Sequence, residues 1–418
     1  MKKTALLSKI SLTKTAMMVA LTFSATQSMA KAGFQINTQS ATGLGRAFSG
    51  DAVIADNASV MARNVATMAL FDKTSLSLGL NALITDISVS DASYTAITSP
   101  TAVDSNYSDA GGLSLAPNIH LIVPLNEKFA VGLDLYSNFG TRTEFDSSFT
   151  GAEYGGLTDV KSINLGLATS YRINEQWSVG GGLDVIYGIG KLQRSRSVYL
   201  GGTEALDADA AGFGLGFNVG TVFELDKNNR FGLSYHYSPE LKAKGDITFG
   251  GTTVEDDTLY MPLPDMAEFS GYHHLSGTKF AVHYSVQWIG WSAFDTLDSK
   301  AFGVINEYHW KDAMHFSIGN TYYVNDRWTL RSGYMYDQSA QDEVTSISVP
   351  DSDRQWLSAG FTYHFTDSAN IDFGATYLIG EDVSVTETTE SSGTEVSSIT
   401  GTTHADAILV ALQYSQSF

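Results

Sequence analysis

The sequence has no cysteine, seven prolines and little positive charge. Without cysteine, disulfides and thiolate metal sites are both excluded. Lys and Arg number 25 against 45 Asp and Glu, and the resulting net charge of −20 argues against nucleic acid as a partner. Beyond Ala30, no stretch approaches the ~18 apolar residues that a membrane-spanning helix needs. A disulfide scaffold, a nucleic-acid-binding protein and a helical membrane protein are therefore disfavoured.

The N-terminus has the pattern of an export signal. Two lysines follow Met1, a mostly apolar run continues to Ala30, and Ser28-Met29-Ala30 supplies small residues for cleavage. A membrane anchor fits less well, because polar residues such as Thr22 and Ser24 interrupt the apolar run. We expect residues 1–30 to be a signal peptide.

The composition of the remaining chain favours an all-β membrane protein. The chain has 39 Gly, 20 Tyr and 22 Phe, and 17% of its residues are charged. A transmembrane β-barrel needs aromatic girdles, small inward residues and few charges at mid-membrane. A secreted array of β-sandwiches is the alternative, but it should contain linkers between domains, and the sequence contains none.

Strands with one apolar face and one small or polar face recur along the chain. Apolar residues occupy the even positions of 75–84 and the odd positions of 163–167 and 213–219, with Ser, Asn and Gly opposite them. Six short turns and seven longer polar connections separate fourteen predicted strands. The predicted turns are 126–128, 173–176, 226–229, 276–278, 325–327 and 366–369; the predicted loops are 91–112, 146–157, 201–210, 250–265, 297–310, 348–353 and 387–403. Short periplasmic turns and long outer loops are typical of bacterial outer-membrane barrels.

The segment Gly33–Phe71 differs from everything after it. Its first half has the Gly, Ala, Ser and Asn of turns, and its second half could form one or two helical turns capped by Asp51 or Asn57. Such a segment cannot bury a core by itself. We therefore predict that residues 31–72 form a plug, or hatch, inside a fourteen-stranded antiparallel transmembrane β-barrel of residues 73–418.

Several blocks of sequence resemble the FadL-type long-chain fatty acid transporters. The first block comprises Ala32-Gly33-Phe34-Gln35 and 40–50, and the others are 136–140, 225–230, 310–313 and 350–354. The resemblance extends from about Ala32 to Phe418. It implies an outer-membrane barrel with an N-terminal hatch that takes up hydrophobic molecules through a lateral opening in its wall, without ATP.

The resemblance also implies site residues. Arg194 and Lys311 match the cations that hold the ligand carboxylate, and strand parity predicts that both point inward. Phe34 is placed against the acyl chain, and Asn138-Phe139-Gly140 matches the kink that opens the wall. The family's hatch motif Asn-Pro-Ala is here Asn64-Val65-Ala66.

Each of these assignments has a structural alternative. The two cations could pair with acidic groups of the barrel interior, Phe34 could pack the plug against the wall, and the kink could be an ordinary β-bulge. The absence of Pro at Val65 removes a fixed φ and restores a backbone donor, which leaves the local hatch geometry open.

The sequence predicts passive uptake of long-chain fatty acids across the bacterial outer membrane. Uptake of aromatic hydrocarbons by the same route is the alternative, and an aqueous porin or an adhesin is a third hypothesis. Expected partners are the hydrophobic ligand, outer-membrane lipid and the barrel-assembly machinery, with the protein acting as a monomer. No nucleophile motif or metal-ligand spacing is present, so we expect no enzymatic activity, cofactor or metal.

Overall fold

The computed structural model describes residues 35–341 and 344–418, and these form one antiparallel sheet closed into a barrel of fourteen strands around a plug. The predicted signal peptide and Phe34 lie outside the described residues. The strand segments are β1 (Ser75–Ala96), β2 (Ser99–Asp104), β3 (Gly112–Pro124), β4 (Phe129–Tyr136), β5 (Gly140–Glu144), β6 (Leu157–Arg172), β7 (Trp177–Ser195), β8 (Glu204–Asp226), β9 (Asn229–Tyr237), β10 (Glu240–Phe249), β11 (Thr252–Pro262), β12 (Met266–His274), β13 (Phe280–Ile289), β14 (Thr296–Ser299), β15 (Gly303–Glu307), β16 (Ala313–Asn325), β17 (Trp328–Asp337), β18 (Arg354–Thr366), β19 (Ala369–Gly380), β20 (Val383–Ser391) and β21 (Thr394–Ser417).

The wall closes by pairing of its first and last strands. Each wall strand pairs with its neighbours along the chain, and β1 pairs with β21 from Ser75–Ser417 to Ala96–Ser397. Several wall strands are interrupted and continue as a second segment, among them β4–β5, β9–β10 and β11–β12. The other extra segments form outer hairpins, β2 with β1, β14 with β15 and β20 with β21, and β14 also pairs with β11.

The predicted alternation is confirmed by the side-chain exposure. Leu80, Leu165 and Leu215 point outward, and Leu215 is 73% exposed, as expected for a surface that faces lipid. Inward positions between them carry Ser, Asn or Gly, for example the buried Ser77 and Asn164. Among the described residues, no helix has the length and apolar character required to cross a membrane.

All six predicted turns lie between consecutive wall strands, whereas several predicted loops are wrong in detail. Residues 252–262, within the predicted loop 250–265, form strand β11, and β8 already begins at Glu204. The predicted loop 348–353 is longer, because β17 ends at Asp337 and β18 begins at Arg354. Strands that extend beyond the membrane are polar on both faces, so they resemble loops in sequence.

The plug fills the bore. It contains α1 (Ala41–Leu44) and two 3-10 helices, Ala58–Ala62 and Val65–Leu70. The helical turns of the second half are confirmed, and Asn57 caps the first of them by accepting from the Ser59 N–H. The residues between Gln35 and Ile54 are all buried against the inward faces of the wall.

Candidate functional site: an arginine-bearing cavity and an interrupted wall strand

A network of ion pairs around two buried arginines lies on one side of the plug. Arg46 lies 2.6 Å from Asp51 and 3.1 Å from Asp56, and Asp56 lies 3.1 Å from Arg331 of β17. Both arginine side chains are almost completely buried. The Arg46–Asp51 pair is buried and holds the plug together, because removing one member would leave an uncompensated charge. The pair of the partly exposed Asp56 with Arg331 joins the plug to the wall. We call these four residues the anchor.

On another side, the plug contacts a break in the wall. The ladder between β3 and β4 ends at Ile119–Leu135, and the chain leaves strand geometry between Tyr136 and Gly140. The plug residues 35–39 lie against this break.

Short-range hydrogen bonds join the plug to the break. Gln35 forms an antiparallel bridge with Phe139, and the Ile36 N–H donates to the Asn138 carbonyl at 2.7 Å. The Gln39 amide also donates to Asn138 Oδ1 at 2.8 Å. Residues 35–39 therefore satisfy backbone groups that a neighbouring wall strand would otherwise satisfy.

A cavity of about 580 Å³ lies above the plug, among the outer hairpins. Its lining includes residues from β7, β8, β10, β14, β15, β20 and the loops between them, and Arg194 is one of them. The Arg194 guanidinium donates to the carbonyls of Leu157 and Gln193 and to Thr158 Oγ1, at 2.6, 2.8 and 2.7 Å. These bonds hold the cation at the cavity wall and fix its orientation.

A smaller, apolar cavity adjoins the large one on the side of the membrane. The two share Leu192, Leu297 and Tyr308 in their linings. The small cavity holds about 20 Å³ and its lining is almost entirely apolar.

The apolar lining continues from this small cavity to the wall break. Leu192, Leu297 and Tyr308 belong to one buried cluster that also contains Phe139 and Trp291. The Phe139 and Trp291 rings contact each other edge to face at 6.0 Å. Packed apolar side chains thus connect the large cavity, which contains Arg194, to the break in the wall.

The structure places the other predicted residues apart from this cavity. Lys311 lies two residues before β16 and is exposed, so strand parity does not apply to its side chain. His315, for which parity also predicted an inward position, is 4% exposed. The lining of the large cavity contains Arg194 but not Lys311. The parity rule failed at Lys311 because the strand begins two residues later.

The hatch motif joins the plug to β8. Asn64 caps the second 3-10 helix by accepting from the Ala66 N–H at 3.0 Å, and its amide donates to the carbonyls of Ala52 and Thr221. Val65 occupies the first helical position, where an N–H has no partner within the helix. Valine in place of the family's proline therefore neither adds nor removes a hydrogen bond within the helix.

Sequence reasoning missed Glu387 and Tyr308, which also line the large cavity. They come from outer hairpins far from Arg194 in sequence, and no spacing pattern connects them. Among the residues that the structure describes, no group of three or more His, Cys, Asp and Glu side chains is arranged to hold a metal ion.

Comparison with known proteins gives the same architecture. Residues 21–418 match the family model described as outer membrane protein transport protein (OMPP1/FadL/TodX). The chain is 35% identical over 414 residues to a long-chain fatty acid transport protein of Salmonella typhi, covering 90% of this chain and 93% of the relative.

Two solved structures have the same fold. The structure of a Pseudomonas aeruginosa FadL homologue aligns with a TM-score of 0.82 at 21% identity, covering 93% of this chain and 100% of the other. The Pseudomonas putida toluene transporter TodX aligns with a TM-score of 0.65 at 18% identity, covering 94% and 100%. The chain therefore belongs to the OMPP1/FadL/TodX family of outer-membrane transport proteins.

Proposed function

We propose that this protein takes up long-chain fatty acids passively across the bacterial outer membrane. The observation that carries the proposal is the continuity between the Arg194 cavity and the wall break, through one apolar cluster that ends at Phe139. A fatty acid has the matching chemistry, an anionic head and a long apolar chain. The name of the Salmonella relative supports the same ligand class.

In the proposed mechanism, the carboxylate meets Arg194 and the chain enters the apolar lining below it. Each methylene that leaves water contributes roughly 0.8 kcal/mol, so the chain supplies most of the affinity. Charge-assisted hydrogen bonds from the guanidinium orient the head group. Lys311 is retained as a second cation for the carboxylate, which it is proposed to meet on the exposed surface before the head group enters the cavity.

Exit is proposed to occur sideways through the wall at Asn138-Phe139-Gly140. Residues 35–39 lie against this break, so they must move before a ligand can pass into the membrane. Phe34 directly precedes this segment and is proposed to contact the acyl chain. Asn64, Val65 and Ala66 are proposed to hold the rest of the plug in place meanwhile.

Binding of oleate to purified variants tests the head-group role. We expect Arg194→Ala to weaken oleate binding by about 10- to 100-fold, because a hydrogen bond to a charged group contributes about 1.5–3 kcal/mol. Adding Lys311→Ala should weaken it further. Lys244→Ala is the matched control, because Lys244 forms an exposed ion pair with Asp256 away from the cavity lining. Unchanged oleate affinity in the folded double variant would refute the assignment.

Aromatic hydrocarbons are a second candidate, favoured by the buried apolar cluster that extends from Leu192 and Leu297 to Phe139. They need no cation, so toluene uptake should be insensitive to Arg194→Ala. If oleate is the preferred ligand, a large excess of toluene should leave most bound oleate in place. An open aqueous pore does not agree with a bore that is filled by the plug.

We also propose that the barrel-assembly machinery inserts this protein and that it acts as a monomer in outer-membrane lipid. Strand β21 closes the wall by pairing with β1 from Ser75–Ser417 to Ala96–Ser397, so folding is complete only when this pairing has formed. Depletion of the barrel-assembly machinery should reduce the folded, heat-modifiable fraction in membranes.

A further inference from the structure

The charges around the large cavity do not by themselves favour an anion. Its lining contains three carboxyl groups, those of Glu153, Glu387 and Glu390, and two guanidinium groups, those of Arg194 and Arg196. With all five ionised, the lining carries one more negative than positive charge. A carboxylate that enters would meet a net negative wall, so one of the three acids must be neutral for an anion to bind well.

Glu153 is occupied by contacts within the protein. It accepts from the Tyr94 hydroxyl, the Ser197 N–H and the Ser397 hydroxyl at 2.6, 2.8 and 2.7 Å. These three donors use its oxygens to join three outer segments. Glu390, by contrast, is exposed, so water screens its charge.

Glu387, in contrast to both, is half-buried and has spare acceptor capacity beside Arg194. It lies in β20, which pairs with β21 beyond the end of β19 and therefore stands on the extracellular side of the membrane. One of its oxygens, Oε1, accepts from the Ile347 N–H at 2.6 Å. Burial raises the pKa of Glu387 to about 7, although the Ile347 N–H and the nearby Arg194 act in the opposite direction.

The titratable and charged groups that face this part of the cavity come from every element around it. Among the described residues, these groups are Glu153 and Tyr154 in the loop before β6, Arg194 and Arg196 at the end of β7, Tyr308 after β15, and Glu390 on β20 itself. Arg194 and Tyr308 interact electrostatically with Glu387. Burial raises the pKa of the Tyr308 hydroxyl, which therefore stays neutral near pH 7. Burial lowers the pKa of Arg194, but an arginine side chain starts so far above neutral that it stays protonated there.

We propose that Glu387 is the proton-binding residue of the ligand site, so that an anionic long-chain ligand binds together with one proton that it shares with Glu387. This inference rests on the proposed function and names a specificity residue for it. No covalent bond forms or breaks. The protonated Glu387 donates its O–H to the ligand oxygen, and Arg194 compensates the negative charge that the pair retains.

Affinity for an anionic ligand should fall as the pH rises. Glu387 has a raised pKa, so the neutral form that an anion needs is present below pH 7 and is lost as the pH rises through 7. For a ligand that is itself always ionised, affinity should then fall by up to about tenfold for each pH unit above 7.

Hexadecane-1-sulfonate is the appropriate probe, because its head group remains anionic throughout the range. We would measure its Kd with the purified full chain by isothermal titration calorimetry at pH 6.0, 7.0 and 8.5. For the wild type we expect binding at least fivefold weaker at pH 8.5 than at pH 6.0. Glu387→Gln should bind with nearly the same Kd at all three pH values.

Glu390→Gln is the matched control, since it removes an exposed carboxyl of the same strand and should keep the wild-type pH dependence. Wild-type affinity that does not change with pH, or a pH dependence that survives in Glu387→Gln, overturns the proposal. If neither the sulfonate nor oleate binds the wild type at any pH, the proposed function itself fails.

A second measurement does not depend on any variant folding. At pH 7.5, calorimetry in buffers of different ionisation enthalpy reports the number of protons taken up when the sulfonate binds the wild type. Net uptake supports the shared proton, and zero uptake overturns it.

Discussion

The plug touches the wall in two chemically different ways. On the anchor side, Arg46 pairs with Asp51 and Asp56 within the plug, and the partly exposed Asp56 also pairs with Arg331 of the wall. On the side of the break, residues 35–39 make a backbone bridge and amide hydrogen bonds. A neutral hydrogen bond contributes about 0.5–1.5 kcal/mol net, whereas breaking a buried ion pair costs about 3–5 kcal/mol. The segment at the break can therefore detach while the anchor keeps the plug in the bore.

Arg46→Ala should produce the largest effect on stability. It removes both guanidinium contacts and leaves Asp51 and Asp56 with less compensation inside the barrel. We expect a loss of about 3–5 kcal/mol in the free energy of unfolding. Urea titration of the purified protein, followed by the loss of the heat-modifiable folded band, measures it.

The control for this prediction is an ion pair on the surface. Lys244 and Asp256 lie 3.5 Å apart and are 64% and 76% exposed, so Lys244→Ala should change stability by no more than about 1 kcal/mol. Equal losses in the two variants would mean that the anchor is no stronger than an exposed pair.

Locking the segment at the break should stop uptake without weakening the fold. Gln35 and Phe139 are an antiparallel pair, and directly opposed residues have the Cα separation that a disulfide needs. The chain has no cysteine of its own, so Gln35→Cys with Phe139→Cys introduces one possible bond. We expect fatty-acid uptake in the oxidised state to fall at least about tenfold below that of the reduced state of the same variant, because exit requires this segment to move.

A cross-link within the wall separates movement of the plug from stiffening of the barrel. Leu80 and Leu412 are opposed on β1 and β21, and both side chains face outward, away from the plug. Cysteines there should give the same uptake with and without reductant. If the Gln35–Phe139 bond also leaves uptake unchanged, residues 35–39 do not gate the exit.

The wall could be predicted from sequence far better than the site. Alternation and turn residues place Leu80 and Leu215 outward and locate every short turn, because one face of each strand must meet lipid. The cavity depends instead on how distant outer hairpins pack. Glu387 and Arg194 both line this cavity, and no local sequence pattern connects them. The alternation of strand faces could not be extended to Lys311, because β16 begins only at Ala313.

Val65→Pro should have the smallest effect, and it tests how rigid the anchored part of the plug is. Val65 is the first residue of a 3-10 helix, and Asn64 before it has an extended backbone, which the residue before a proline also adopts. We expect proline to raise the free energy of unfolding by about 0.4–1 kcal/mol through a less flexible unfolded chain, and to leave uptake unchanged. Ala66→Pro is the matched variant: it removes the N–H that donates to Asn64 Oδ1 and should destabilise by about 1–3 kcal/mol. A loss as large for Val65→Pro as for Ala66→Pro would show that the backbone at Val65 is not free to accept a fixed φ. The hatch motif of this chain would then have diverged in geometry and not in composition alone.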